Sequence, residues 1–174
     1  MSEVAAVRSD RAARIPTAGL ARLVALLLPL TLLAGAYGSQ YFGGLYPCEM
    51  CWWQRYAHFA ALVFAVPAFR FPVQSRASRT LVLLAALAIA VSGAIGVYHA
   101  GVEAKIFEGF TQCTALSNSS STADLLKQIT HAPLVRCDEV QFRFLGISMA
   151  GWNAIISLAG AALILLLSLK AKRA

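Results

Sequence analysis

Charge is scarce in this chain. Of its 174 residues only 13% are Asp, Glu, Lys or Arg, whereas 59% are hydrophobic; soluble domains carry about 25% charged residues. That shortage excludes an ordinary soluble globule, because a chain this short lacks the polar surface to cover its own core. Acids are scarcer than bases, which leaves a formal net charge of +7. A nucleic-acid function does not follow, since the bases gather in three short segments rather than on one aromatic-interleaved face. Cysteine occupies four positions, with one Cys-x-x-Cys and no second, so the paired knuckles of a structural zinc site are lacking. Trp52 stands where a c-type haem attachment would need histidine. Nothing suggests a nucleotide fold or an iron–sulfur spacing; neither a metal nor a flavin is expected.

What is present are four apolar segments, at about 20–38, 51–69, 81–100 and 148–169, each near the ~20 residues a helix needs to cross hydrocarbon. Backbone groups in lipid must pair within their own segment, so each crossing is expected to be helical. The expected architecture is an all-α, polytopic membrane four-helix bundle. It forms a single domain over residues 20–170, between an N-terminal tail (1–19) and a C-terminal tail (171–174). Pro29 predicts a kink in the first helix. Arg8, Arg11, Arg14 and Arg22 at the start, Arg70, Arg76 and Arg79 in the middle connector, and Lys170, Lys172 and Arg173 at the end mark the cytoplasmic side. The connector 39–50 has no basic residue, and the long segment 101–147 has four bases against five acids. Both are expected in the periplasm. Arg residues, an apolar run and Ala34-Gly35-Ala36 also fit a cleavable signal peptide, but the run is long for one, and we read it as a retained helix. In the long loop, Ser121 to Asp124 followed by Leu125, Leu126 and Ile129 predicts a short amphipathic helix.

All four cysteines, Cys48, Cys51, Cys113 and Cys137, fall on the side where disulfides persist. A brace between outer loops would account for Cys113 and Cys137, but the Cys48–Cys51 ring is too small to stabilise much and suits exchange. Both thiols open the second helix after Pro47, where unpaired N–H groups and the helix dipole favour thiolate. Arg55 lies four residues after Cys51, on the same helix face. A cation there either snorkels outward or meets an anion or carbonyl. His99 closes the third helix at similar depth, as an anchor or a functional group. Trp52, Trp53, Tyr41, Tyr46, Tyr98 and Trp152 form an aromatic belt. A thiol pair oxidised repeatedly needs an electron acceptor, and the bilayer offers quinone, whose carbonyl Arg55 could polarise.

Pro47-Cys48-Glu49-Met50-Cys51-Trp52-Trp53-Gln54-Arg55, Tyr98-His99, Cys137-Asp138-Glu139, Phe144-Leu145-Gly146 and Trp152 together resemble the disulfide bond formation protein B (DsbB) family. Those are bacterial inner-membrane thiol:quinone oxidoreductases. The resemblance implies disulfides Cys48–Cys51 and Cys113–Cys137, a periplasmic DsbA-type thioredoxin-fold partner that attacks at Cys113, and relay from Cys137 to Cys48. It further implies ubiquinone or menaquinone as acceptor beside Cys51, with Arg55 and His99 at its pocket. Glu49 departs from the apolar residues common between the family's first two cysteines. The competing expectations are a vitamin K epoxide reductase-like enzyme, whose redox pair would open the last helix, and a non-catalytic scaffold braced by disulfides.

Overall fold

The computed structural model describes residues 2–109 and 135–173, with side chains for 17–109 and 135–171. Cys113 and the expected amphipathic helix near 121–129 lie outside the described residues. Four long helices dominate: α1 (Ser2–Tyr41), α2 (Glu49–Ala68), α3 (Arg76–Glu103) and α4 (Met149–Arg173). Between α3 and α4 comes a hairpin, β1 (Arg143–Phe144) antiparallel to β2 (Ile147–Ser148). α3 packs on α2 and α4, and α1 closes the ring against the same two helices.

Three of the four helices are long and apolar enough to span a bilayer: Thr17–Tyr41, Arg76–Glu103 and Met149–Ala171, with hydropathies of 1.9, 2.4 and 2.2. α2 is 20 residues long but less apolar, because Glu49, Gln54, Arg55 and His58 crowd its first half. All but Glu49 are buried among the other helices, so α2 belongs to the bundle although its composition is mixed. The helix of α1 extends beyond the span: it starts at Ser2, through the segment read as a tail, and runs through Pro29 without a break. Arg22, one of the bases that mark the cytoplasmic side, is 8% exposed; it donates to the Phe71 carbonyl at 3.2 Å and lies over the Phe69 ring, tying α1 to the α2–α3 connector.

The packing suits lipid. Large apolar side chains such as Leu27, Val63, Leu87, Ile155 and Leu166 face outward, while the core is mostly Ala21, Ala25, Ala61, Ala65, Ala85 and Ala161 with Ile89 and Ile164. Between helices in hydrocarbon, burial of apolar surface supplies little drive, so small residues that allow close approach carry the packing. Gly96 is where a helix glycine comes closest to the backbone of another helix: a Cβ there would meet the Ala150 carbonyl and the Ala154 nitrogen, each at 3.0 Å.

Caps fix where each helix begins. Cys48 is the N-cap of α2, its sulfur accepting from the Cys51 N–H at 3.4 Å, and Ser75 caps α3 through the Ser78 N–H. Ser148 does the same for α4 through the Gly151 N–H. The hairpin before it was not foreseen. Leu145 and Gly146 both have positive φ (52° and 80°), as a two-residue hairpin turn requires. Trp152 pins the turn by donating to the Phe144 carbonyl at 2.9 Å.

Gly96→Leu would push α3 and α4 apart at the level of His99 and Asn153. Overpacking of this kind typically costs about 1–3 kcal/mol, so thermal unfolding in detergent should begin several degrees lower, with Gly96→Ala intermediate. An unchanged melting curve for Gly96→Leu would show that the helices do not approach as closely as described.

Candidate functional site

The three described cysteines meet at one end of the bundle and have no disulfide among them. Cys48 Sγ lies 3.0 Å from Cys51 Sγ, and Cys137 packs on Cys48 with Met50 and Val102. Cys48 and Cys137 are 4% and 0% exposed. Hydrogen bonding with Cys137, then with Cys51, and burial together hold the Cys48 thiol far above its ordinary range. The proton therefore stays on Cys48, shared toward Cys51. Glu49 is exposed, so water screens its charge from the pair.

His99 stands behind Cys48, 2% exposed, with Nε2 3.6 Å from Sγ. Its tautomer follows from its neighbours. Gln54 Nε2 faces the Met50 carbonyl at 3.2 Å, an atom that only accepts, so the amide nitrogen is on that side. The same nitrogen lies 2.9 Å from His99 Nδ1. Nδ1 accepts, so Nε2 carries the proton and points it at the Cys48 sulfur. Glu103 Oε1 is the other acceptor within reach, at 3.8 Å. Cys48, Cys51 and His99 also have three donor atoms within 4.8 Å of one another, a possible metal set. Two thiolates on one tetrahedral zinc would stand about 3.8 Å apart, given bonds of about 2.3 Å; the 3.0 Å here is closer than that and suits a dithiol near closure.

Arg55 does not snorkel. It is 6% exposed and turns onto α1, donating to Gln40 Oε1 at 2.6 Å and to the Ala36 carbonyl at 3.1 Å. Its guanidinium lies over Tyr37 and Trp52, 4.7 and 5.1 Å from their centroids. Cys48, Cys51, Arg55 and His99 all line one cavity of about 360 Å³. Leu32, Leu33 and Ala36 of α1, Met149 and Ala150 of α4, and Phe142, Phe144 and Trp152 form much of its wall. Four of the expected site residues are thus brought together on one space, and Cys137 abuts it through Cys48. Sequence reasoning missed Gln40, Gln54, His58, Ser92 and Asn153. The available signal was polar side chains inside apolar helices, which are costly in lipid and therefore have partners.

The segment bearing Cys137 is clamped. Arg136 holds Asp138 by two bonds of 2.9 Å, and Lys105 joins it from the end of α3. Gln141 donates to the Tyr46 carbonyl at 2.8 Å, linking this loop to the connector before Cys48.

Thiols clustered for exchange at the end of a membrane bundle define a membrane thiol oxidoreductase. The sequence comparisons agree. The chain matches the family Disulfide bond formation protein DsbB over residues 18–167. Disulfide bond formation protein B of Methylococcus capsulatus is 33% identical over 147 residues, covering 81% of this chain and 88% of that one. The protein of the same name from Xanthomonas oryzae pv. oryzae is 30% identical over 139 residues, covering 76% and 80%. No solved structure gives a significant match. The chain belongs to the DsbB family and is a disulfide-generating oxidoreductase of the inner membrane.

Two predictions follow from this geometry. Gln54→Leu frees His99 to turn, which removes a hydrogen bond to the Cys48 sulfur. Alkylation of the reduced Cys48–Cys51 pair at neutral pH should slow about three- to tenfold, His99→Phe should match it, and the double variant should be no slower than either. Additive effects would mean that Gln54 does not act through His99. Arg136 first and Lys105 second hold the Asp138 carboxyl well below the usual carboxylate range. Its contribution to loop docking is therefore complete above the unfolded value of about 3.9 and is lost as pH falls through the lower folded value. Labelling of Cys137 by dithiodipyridine, which reacts in acid, should stay slow down to about pH 4 and rise only below it. Asp138→Asn should label faster throughout and show no acid rise.

Proposed function

We propose that the protein reoxidises a periplasmic DsbA-type dithiol protein and passes the electrons to membrane quinone. The observation that carries this reading is that Cys51 and Arg55, one helical turn apart, open on the same apolar-walled cavity while Cys48 is backed by Cys137. In this reading both termini are cytoplasmic and the cysteines periplasmic. The partner's thiolate attacks the Cys113–Cys137 disulfide at Cys113, and Cys137 leaves as thiolate. Cys137 then attacks Cys48, which breaks the Cys48–Cys51 bond and leaves Cys51 as thiolate. The partner's second thiol closes its own disulfide and releases Cys113. Cys113 then attacks Cys137, which breaks the Cys137–Cys48 bond, re-forms Cys113–Cys137 and leaves the partner's electron pair on the reduced Cys48 and Cys51. The His99 Nε2–H supports negative charge at Cys48 whenever that sulfur leaves.

The cavity suits a quinone headgroup: its walls are largely apolar, a guanidinium is buried beside it, and a thiol lies at one end. Quinone, when bound, supplies a two-electron sink at the bilayer. Arg55 would hold its carbonyl through N–H groups not given to Gln40 and Ala36, and His99 lines the same space while acting on Cys48. Gln40 and Ala36 keep the guanidinium oriented, so little ordering is left to the ligand.

Purified protein supplied with a reduced thioredoxin-fold partner should reduce quinone. Cys48→Ser, Cys51→Ser, Cys113→Ser and Cys137→Ser should each abolish turnover, and Arg55→Ala should raise the KM for quinone about tenfold or more. Full activity in all four serine variants would falsify the relay. Cysteines in intact cells that react only with reagents reaching the cytoplasm would overturn the orientation.

A further inference from the structure

Among the described side chains, every carboxylate (Glu49, Glu103, Glu108, Asp138 and Glu139) lies at the thiol end of the bundle. The opposite end holds bases around a second cavity, of about 220 Å³. It opens where the start of the α1 span, the start of α3 and the end of α4 converge. Arg22, Arg79 and Ser168 supply polar wall, and Ala18, Ala21 and Val82 apolar wall. Two guanidinium groups thus share one hollow, and neither has an acidic partner among the described residues.

Each polar side chain has bonding capacity to spare. Arg22 is 8% exposed, yet among the described residues it gives one hydrogen bond, from Nη1 to the Phe71 carbonyl; its Nε and Nη2 are left without an acceptor. Arg79 is half-buried. Its Nε is sealed in the protein without a partner, but its two Nη groups are not sealed and bond to none of the described residues. Ser168 is 5% exposed, and its Oγ, unpaired among the described residues, is not sealed either. Ser78 Oγ, by contrast, is sealed and cannot touch a ligand. Polar groups withdrawn from water without partners cost free energy, and donors from three helices around one space are met best by an anion with several oxygens.

Depth narrows the choice of anion. The three spans have 25, 28 and 23 residues, which is about 35–42 Å of helix against about 30 Å of hydrocarbon. Their end turns therefore stand among the lipid headgroups. Arg22 lies five residues inside its span, and Arg79 and Ser168 each three residues inside theirs, about 5–8 Å from the ends. We infer that this cavity binds a phosphate group, held by the free N–H groups of Arg22 and Arg79 and by the Ser168 hydroxyl, and that the phosphate belongs to the headgroup of an anionic lipid. Guanidinium forks match phosphate oxygens, and basic pockets between membrane helices suit such headgroups. The apolar wall meets the lipid where its headgroup joins the chains. Inorganic phosphate would satisfy the same donors but would leave that wall bare.

The test uses full-length protein in a neutral detergent, unfolded by heat and followed by loss of helical circular dichroism. Phosphatidylglycerol, phosphatidylcholine or inorganic phosphate is titrated in. A ligand of the native state raises the midpoint in a saturable way, and phosphatidylglycerol should do so. Phosphatidylcholine, whose own cation offsets its phosphate, should need about tenfold more, a comparison that stands even if a variant does not fold. Arg79→Gln should raise the phosphatidylglycerol concentration of half effect about tenfold. Arg76→Gln removes an exposed arginine outside the cavity and should change it less than about twofold. Equal effects of the two substitutions, or equal stabilisation by the two lipids, overturn the site. A midpoint raised as much by inorganic phosphate as by phosphatidylglycerol, and lost in Arg79→Gln, supports the phosphate site and overturns its lipid source. No shift with either overturns both.

Discussion

The side-chain amide of Gln54 has no water to turn to. It is 6% exposed in the middle of the bundle, where an unpaired amide would cost more than the net value of any bond it makes. Its nitrogen is taken by the Met50 carbonyl and by His99, and its oxygen by Asn153 at 2.7 Å. Those partners sit on α2, α3 and α4. Satisfying one amide therefore fixes the rotation of three helices about their axes. It also decides that His99 presents a proton, rather than a lone pair, to the sulfur of Cys48. The structural requirement and the chemical one are met by the same bonds.

This dependence explains why so much of the interior is alanine and glycine. A hydrogen bond of 2.7–3.2 Å between helices is possible only if their axes come close, and bulky side chains at the contacts would hold them apart. Gly96 allows α3 to meet the backbone of α4 one turn before His99. On the other side, Ala36 is small and leaves its carbonyl open to Arg55. Small residues at the seams and amides between them form one arrangement, and the large aliphatic side chains are left for the lipid.

The fold class was legible because four apolar runs of bilayer length admit few alternatives. The thiols and Arg55 were legible because Cys48, Cys51 and Arg55 share one stretch of helix, where spacing alone sets their relation. His99 was visible as a polar group at the depth of the thiols, but its place at the pocket came only with the family resemblance. What could not be read were relations between helices. Gln54, His58 and Asn153 are visible as polar residues in apolar segments, but nothing in the sequence says that Asn153 faces Gln54 across 99 positions. Nor does composition show that the arginine-bearing segment before residue 20, which reads as a tail, is helical and continuous with the span. The hairpin at Leu145-Gly146 escaped because its two strands have two residues each, too short for any alternation to register.

Glu49, the acid within the motif, looked like the group most opposed to a thiolate. Its exposure removes that concern, because a charge in water is screened over about 8–10 Å at ordinary ionic strength. Glu103 is the acid that bears on the thiols. Its side chain is 10% exposed, Oε1 lies 3.8 Å from His99 Nε2, and Oε2 has no hydrogen-bond partner among the described residues. The single proton on His99 Nε2 thus has two acceptors at nearly equal distance, a sulfur and a carboxyl oxygen. A thiolate at Cys48 competes well for it; a disulfide sulfur, being neutral, does not. The balance between these acceptors changes with the redox state of the pair, so the imidazole follows the electrons without having to change its own tautomer.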